Sequence, residues 1–315
     1  MSQRTVMIAL GGNALSPKKE AGTIPQQFVH TRESLKAVMC FVRADYNICI
    51  THGNGPQVGA ELIRNEIAGN VIPPLPLGVL VANTQGAMGY MIQQSLQNAL
   101  YSENTEREVV SFISQMKVDS KDPEIEKPCK YIGKSYTADE ASQYMEKFGW
   151  LMKKQEPGIW RRVVPSPKPL YIFNGKSIKH LVDFGTIVIA GGGGGIPTYN
   201  LNDGSLEGLN GVIDKDLTAA LLGRIIKAQE LFIITDVDNI YLNYKTDAQE
   251  VVNEATASDM DSWLNEGHFW RGTMEPKIRA ALYFLEYHGE AVIITSIRNL
   301  EKAIQKKAGT RITKH

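Results

Sequence analysis

Glycine-rich segments follow three short apolar runs in this chain of 315 residues. The three junctions lie at residues 5–12, 47–56 and 186–195, and the last contains five consecutive glycines. Glycine lacks a side chain, so its backbone can turn through positive φ and bring N–H groups close to an anion. In an open α/β sheet, phosphate ligands bind where a strand ends in such a loop. The three junctions therefore predict one phosphate-binding site.

The apolar runs are continuous rather than alternating, which is typical of strands buried on both faces of a parallel sheet. They lie at residues 5–10, 47–51, 108–114, 186–190, 231–235 and 291–295. Helix-like segments lie between them, at residues 31–44, 83–103, 217–227 and 276–287. Pro276 suits a first helical turn, where its missing N–H leaves no bond unmade. Strands that alternate with helices predict a doubly wound α/β sandwich with a mainly parallel central sheet.

One region interrupts this alternation. Residues 118–168 carry several prolines, many charges and isolated aromatic side chains, without a long buried strand. Fifty residues of this kind predict an inserted subdomain or lid rather than a single loop. A second boundary is expected near residue 212, after the polar stretch at residues 200–210.

Composition narrows the classes of function. The 34 Lys and Arg residues balance the 34 Asp and Glu residues, so no net positive charge favours nucleic acid or an anionic membrane as a partner. The three cysteines have no metal-binding spacing, and the longest apolar stretches are strand-sized. We expect a cytoplasmic protein that acts on small molecules.

The glycine loops match neither common nucleotide-binding motif. The chain lacks G-x-x-x-x-G-K-[ST] and a well-placed G-x-G-x-x-G. The alternative explanation for Gly11 and Gly12 is a tight turn after a strand. In the second loop, Pro56 is expected to start a helix whose free N–H groups face an anion, with the Asn54 amide beside them. His52 is either a general base or, as we favour, a residue that orients the loop.

Two lysines lie where helices are expected to begin. Lys215 stands between Asp214 and Asp216, and Lys277 follows Pro276. The helix dipole accounts for acidic residues in a first turn but not for the lysine between them. A lysine held by flanking carboxylates is a suitable cation for a phosphoryl group in transfer. Lys277 alone is typical of a solvated lysine, but beside three glycine loops it becomes a second such cation.

The segment after the strand at 231–235 is expected to hold a nucleotide base or ribose. Thr235, Asp236 and Val237 lie at that strand end. Tyr241 and Tyr244 follow, and they either flank the base or simply pack in the core.

In combination, these motifs resemble the carbamate kinases, a branch of the amino acid kinase superfamily. The matching segments occur in the family's order, at residues 9–15, 51–59, 161–169, 192–197, 207–217, 235–238 and 272–277. The resemblance extends from residue 6 to beyond residue 300, which is nearly the whole chain. Many amino acid kinases carry a lysine just before the glycine pair, whereas this chain has Ala9 and Leu10 there and, like the carbamate kinases, places Lys215 between two aspartates.

The resemblance implies a three-layer αβα unit in two lobes, assembled as a homodimer. Residues 1–212 would bind carbamate or carbamoyl phosphate, with the lid at about residues 118–168, and residues 213–315 would bind the adenine nucleotide. It also implies Mg²⁺ with ATP or ADP, and reversible phosphoryl transfer between carbamoyl phosphate plus ADP and carbamate plus ATP, used to form ATP. Arginine and purine breakdown both remain open as the source of carbamoyl phosphate.

Site residues are carried over position by position. The catalytic residues would be Lys130, Lys215, Asp216 and Lys277. The substrate-binding residues would be Gly11, Gly12, Asn13, Asn54, Gly55, Gly193 and Gly194. The nucleotide-binding residues would be Thr235, Asp236, Val237, Tyr241, Tyr244, Met274 and Lys277, and we expect no metal site built from protein side chains.

Three positions depart from the family pattern, namely Cys129, Tyr131 and Thr273. They leave two alternatives open. One is an acylphosphate kinase that acts on another small carboxylate. The other is a paralogue that binds nucleotide or carbamoyl phosphate without turnover, although retention of both lysines and Asp216 argues against it.

Overall fold

The computed structural model describes residues 3–12, 15, 22–269 and 274–315. Two positions singled out above, Asn13 and Thr273, lie outside the described residues. In chain order the elements are β1 (Thr5–Leu10), α1 (Ile24–Arg43), β2 (Asn47–His52), α2 (Gly55–Ala68), α3 (Leu77–Ser102), β3 (Val109–Ser111), β4 (Gln115–Lys117), α4 (Pro123–Glu126), β5 (Lys130–Tyr136), α5 (Ala138–Phe148), β6 (Met152–Glu156), β7 (Ile159–Val164), β8 (Tyr171–Ile172), α6 (Gly175–Asp183), β9 (Ile187–Ile189), β10 (Ile196–Asn200), β11 (Leu206–Gly208), α7 (Lys215–Ile225), β12 (Glu230–Thr235), β13 (Ile240–Leu242), β14 (Glu250–Val252), β15 (Glu254–Thr256), α8 (Ala257–Glu266), α9 (Glu275–Leu285), β16 (Ala291–Ser296), α10 (Leu300–Ile304) and β17 (Thr310–Thr313).

In the described part of the chain, eight strands form one large sheet in the order β15–β17–β16–β12–β1–β2–β9–β3. Neighbouring strands run parallel, except that β17 pairs antiparallel with β16. All six residues of the central strand β1 are buried, which explains its continuously apolar sequence. The predicted α/β class with a mainly parallel central sheet is confirmed.

The large sheet lies between two layers of helices. Along β1, Met7 and Ala9 belong to one hydrophobic core, while Val6, Ile8 and Leu10 belong to the other. This alternation arises because successive side chains of a strand point to opposite faces of the sheet. Side chains of α6, α7, α8 and α9 fill the first core, and those of α1, α3 and α10 fill the second. The arrangement is the expected three-layer sandwich.

Several elements differ in extent from the sequence-based prediction. Helix α1 begins at Ile24, earlier than residue 31, and has Pro25 in its first turn. Strand β3 ends at Ser111, because the chain then leaves the large sheet and β4 pairs with β8 and β10 in a second sheet. Apolar character alone does not distinguish these two sheets, so the run at residues 108–114 appeared to be one strand.

The region that interrupts the alternation folds as a small antiparallel sheet, β5–β7–β6, with helix α5 against it. Tyr136, Ala141, Trp150 and Met152 form its separate hydrophobic core. The predicted limits of the lid and of the two lobes remain predictions. Within the described residues, none of the helices is both long and apolar enough to cross a membrane.

Candidate active site

A cleft of about 610 Å³ opens at the carboxyl ends of four adjacent parallel strands, β12, β1, β2 and β9. Each strand is followed there by a loop that lines the cleft. From the three glycine loops these residues are Gly11, Gly12, Gly53, Asn54, Gly55 and Gly193. Since the strands are parallel, all their carboxyl ends lie at one edge of the sheet. The three junctions found in the sequence therefore meet at one site.

Gly193 shows why the third loop needs glycine. Its φ is +64°, and a Cβ atom there would lie 2.2 Å from Nδ2 of Asn54. The absent side chain thus lets this loop approach the second one closely. Asn54 is buried, and its Nδ2 donates to the Thr84 hydroxyl at 2.8 Å. An amide nitrogen carries two N–H bonds, so this contact uses one of them.

Gly194 was predicted to donate to the substrate, and the structure shows its N–H in another contact. Its N–H already bonds to the carbonyl of Gly191 at 3.0 Å, which closes the glycine loop on itself. Gly194 is also absent from the described residues that line the cleft. A Cβ atom at this position would lie 2.1 Å from the Ile213 carbonyl oxygen. Packing alone therefore requires glycine here, and the predicted contact of Gly194 with the substrate stays a prediction.

Two helices bring their first turns to the cleft. Asp214 is the N-cap of α7, and its carboxylate accepts from the backbone N–H of Asp216 at 2.9 Å. Helix α9 follows Met274 and has Pro276 in its first turn. Lys215 and Lys277 lie in these first turns, where the helix N–H groups and dipoles also favour an anion.

Asp216 bridges the two lysines. Its Oδ1 lies 2.5 Å from the Lys215 ammonium nitrogen, and its Oδ2 lies 2.8 Å from that of Lys277. Burial acts to raise the pKa of Asp216, but the two ammonium groups outweigh it and hold that pKa well below its ordinary value. Burial lowers the pKa of Lys215, whereas the carboxylates around Lys277 outweigh burial and raise its pKa. The carboxylate thus fixes two cations side by side at the cleft.

A third lysine reaches the cleft from the small sheet. Lys130, at the start of β5, donates to Oδ2 of Asp214 at 2.7 Å. Burial acts to lower the pKa of Lys130, but the Asp214 carboxylate, with a smaller contribution from Asp216, outweighs this and raises it. The structure therefore brings together Lys130, Lys215, Asp216 and Lys277, which are the four residues predicted to be catalytic.

His52 is buried beneath the glycine loops and is not among the described residues that line the cleft. Burial, with a smaller contribution from the Lys215 charge, lowers its pKa to about 4, so the imidazole is neutral near pH 7. A Cβ atom on Gly192 would lie 2.4 Å from its Nε2. This packing agrees with a residue that orients the loop.

The residues predicted to hold the nucleotide also line the cleft. They are Thr235, Asp236, Val237, Tyr241, Tyr244 and Met274, beside Lys277. The rings of Tyr241 and Tyr244 have centroids 5.8 Å apart and are tilted by 33°. A base held between two rings would need about 7 Å between them, since ring atoms make contact at about 3.5 Å. The two rings are therefore too close together to hold a base between them here, and the contact of the tyrosines with a nucleotide stays a prediction.

Comparison with known proteins agrees with this geometry. A model of the amino acid kinase family matches residues 4–296. The chain belongs to the amino acid kinase family. The carbamate kinase of Pyrococcus furiosus is 39% identical over 98% of this chain and 99% of its own length. That of Staphylococcus epidermidis is 38% identical over 98% of this chain and 99% of its own.

Solved structures give the same result. The structure of a carbamate kinase from Giardia lamblia bound to AMP-PNP matches with a TM-score of 0.91 and 38% identity. The match covers 99% of this chain and 98% of the Giardia chain. The resemblance to the carbamate kinases, inferred above from the motifs, is confirmed.

Some cleft residues of this family member were not predicted from the sequence. These are Asp214, Tyr131, Lys245, His268 and Phe269. Lys245 lies on a loop distant in sequence from the glycine motifs, and His268 and Phe269 precede the matching segment at residues 272–277 without a pattern that marked them. Asp214 did have a signal, because an aspartate directly before a helix is a favoured N-cap, but its second partner could not be inferred.

Proposed function

We propose that the protein is a carbamate kinase that transfers a phosphoryl group reversibly between carbamoyl phosphate and ADP, and that it works in the direction of ATP formation. The observation that carries this proposal is the convergence of Lys130, Lys215 and Lys277 on a cleft lined by three glycine loops. The full-length relatives named carbamate kinase support the choice of substrate.

No protein side chain needs to form a covalent bond in this reaction. The bond between phosphorus and the carbamate oxygen breaks with its electron pair on oxygen, while a β-phosphate oxygen of ADP forms the new bond to phosphorus. Carbamate leaves as an anion, so no general acid or base is required, and the protein contributes alignment and charge neutralisation. Lys215 and Lys277 would face the charge on the transferring group, and Asp216 would keep both ammonium groups in place.

The glycine loops would supply backbone N–H groups to the phosphoryl oxygens, chiefly from Gly11, Gly12 and Gly193. Within the described residues, no group of three or more His, Cys, Asp or Glu side chains is arranged to hold a metal ion. Asp214 and Asp216 accept from lysines instead. We propose that the nucleotide's phosphate oxygens would hold Mg²⁺, which would reduce their negative charge.

The test is ATP formation by the purified protein from carbamoyl phosphate, ADP and Mg²⁺, followed with hexokinase and glucose-6-phosphate dehydrogenase. Removal of one preorganised charge donor lowers the rate by about 10²–10³, so we expect at least that loss in Lys215→Ala with folding intact. Near-normal turnover of this variant would overturn the role of Lys215. If the wild type forms ATP faster from another small acylphosphate, such as acetyl phosphate, the substrate assignment is wrong.

We also propose the homodimer that the resemblance implies. Helix α3 has 26 residues, none of them charged, yet Tyr90 is 58% exposed and Tyr101 is 86% exposed. The exposed side of a surface helix normally carries charges, whereas interfaces are depleted in charge and enriched in aromatic residues. Sedimentation equilibrium should give a dimer that Tyr90→Lys weakens. A monomeric wild type would contradict this proposal.

A further inference from the structure

The small sheet holds the backbone near Lys130 firmly against the body of the protein. Ile132 of β5 and Val164 of β7 are buried in one hydrophobic cluster with Val58 and Leu62 of α2. Lys130 begins β5 two residues before Ile132. Its backbone is therefore fixed by apolar packing, but its long side chain still has to be oriented by some other contact.

Asp214 orients the Lys130 side chain and also caps helix α7. One of its oxygens accepts the backbone N–H of Asp216 and caps α7, while the other accepts the Lys130 ammonium group at 2.7 Å. The Asp214 side chain is 13% exposed and that of Lys130 is 35% exposed. A single carboxylate thus links the first turn of α7, which carries Lys215, to the lysine of the small sheet.

The charges around Lys130 come from two helices, α7 with its N-cap and α9. Asp214 and Asp216 of the α7 turn attract its ammonium group, and Lys277 of α9 repels it. Asp216 is already shared between Lys215 and Lys277. Without the negative charge of Asp214, three ammonium groups would share one carboxylate, and Lys130 would tend to turn away from the other two lysines.

We propose that Asp214 is a positioning residue that holds the Lys130 ammonium group at the cleft before an anionic acylphosphate binds. The inference deepens the proposed function and rests on it. Ordering a free lysine side chain on binding loses conformational entropy, and Asp214 removes that loss by ordering Lys130 in advance. Once the acylphosphate is bound, its own charge attracts Lys130, so Asp214 affects binding more than the chemical step.

The variant that isolates this role is Asp214→Asn. Asparagine is as good an N-cap as aspartate, so α7 keeps its cap while the charge that faces Lys130 is lost. We expect KM for carbamoyl phosphate to rise about tenfold, as for a lost hydrogen bond to a charged group, while kcat changes less than about threefold. Asp122→Asn is the matched control, because Asp122 caps α4 and its two oxygens accept backbone N–H groups of Glu124 and Lys168.

A double-mutant cycle with Lys130→Met separates positioning from a purely structural effect. If Asp214 acts through Lys130, Asp214→Asn has little further effect on KM once Lys130 is replaced. Equal effects of Asp214→Asn in the two backgrounds would overturn the inference.

Chemical labelling tests the contact without any turnover. Burial tends to lower the pKa of Lys130, and Asp214, with a smaller contribution from Asp216, outweighs it. The probe is acetylation with N-hydroxysuccinimidyl acetate at pH 8, quantified by peptide mass spectrometry. Only the neutral amine reacts, and each unit of pKa changes the neutral fraction tenfold. We therefore expect acetylation of Lys130 to be at least about fivefold faster in Asp214→Asn than in the wild type. The exposed Lys127 serves as the internal reference.

The two proposals can fail separately. A wild type without carbamoyl phosphate turnover, but with faster Lys130 labelling in Asp214→Asn, contradicts the proposed function and retains the positioning of Lys130. An unchanged labelling rate at Lys130, beside an active wild type, overturns the role of Asp214 and leaves the proposed function intact.

Discussion

Asp216→Asn is the most informative perturbation of the charged cluster, because it removes one charge and almost no volume. The carboxylate of Asp216 is 4% exposed and accepts from Lys215 on one oxygen and from Lys277 on the other. An asparagine amide can accept from only one of these lysines. Its NH₂ group would face the other ammonium group, so donor would meet donor. The substitution should therefore lower both stability and activity.

The size of the effect follows from the geometry. Two ammonium groups bound to one carboxylate are about 5 Å apart, and at an effective dielectric constant near 20 their repulsion is about 3 kcal/mol. Breaking a buried ion pair from one side costs about 3–5 kcal/mol. We expect a loss of about 3–5 kcal/mol in the free energy of unfolding, and a fall in kcat of about 10²–10³ if the lysines lose their positions.

Urea unfolding, monitored by circular dichroism, measures the free energy of unfolding. The pKa of Asp216 is lower in the folded state than in the unfolded state. The Asp216 charge therefore contributes fully to the free energy of unfolding above the unfolded-state pKa, near 3.9, and this contribution is lost as the pH falls through the folded-state pKa. The difference between wild type and variant should thus be constant from pH 6 to 8. Asp261→Asn, on the exposed side of α8, is the matched control and should change stability by less than about 0.5 kcal/mol. A loss below about 1 kcal/mol in Asp216→Asn would refute the argument.

Three further predictions concern residues near the cleft. Gly194→Ala should lower the free energy of unfolding in urea by more than about 3 kcal/mol, because its φ is +95° and its Cβ would meet a backbone carbonyl. Gly204 has a φ of +86° but open space around it, so Gly204→Ala should cost only about 1–2 kcal/mol. Equal losses in the two variants would contradict this prediction. His52 has a pKa of about 4 in the folded state, below its unfolded value, so only the unfolded state binds its proton between about pH 4 and 6.5. The free energy of unfolding should therefore fall by about 3 kcal/mol as the pH drops through that range. His52→Gln should reduce this dependence of stability on pH. Burial and the neighbouring Glu124 carboxylate raise the pKa of Cys129 to about 11. Iodoacetamide at pH 7.5 should therefore label Cys129 about 100-fold more slowly than an ordinary cysteine. Fast labelling would contradict this prediction, because it would show an ionised thiol.

The parts of the site that the sequence predicted are those with a local signal. A buried strand followed by glycines is recognisable within about ten residues, and the loop at Gly11 and Gly12 lies where it was expected. Lys215 was recognisable because it stands between two carboxylates at the start of a helix. Sequence does not show that the N–H of Gly194 closes the loop onto Gly191, so the role of Gly194 toward the substrate stays a prediction.

The sequence by itself determined six strands of the large sheet, the helices α1, α3, α7 and α9 in outline, and the glycine loops, because each depends on the chemistry of neighbouring residues. Only the tertiary structure decided which charges meet. Asp216 pairs with Lys277 across 61 positions of the chain, and Asp214 pairs with Lys130 across 84. These contacts depend on how α7, α9 and β5 pack around the end of the sheet. An ion pair is directional over a few ångströms, so its partners are fixed by that packing and not by any pattern along the chain.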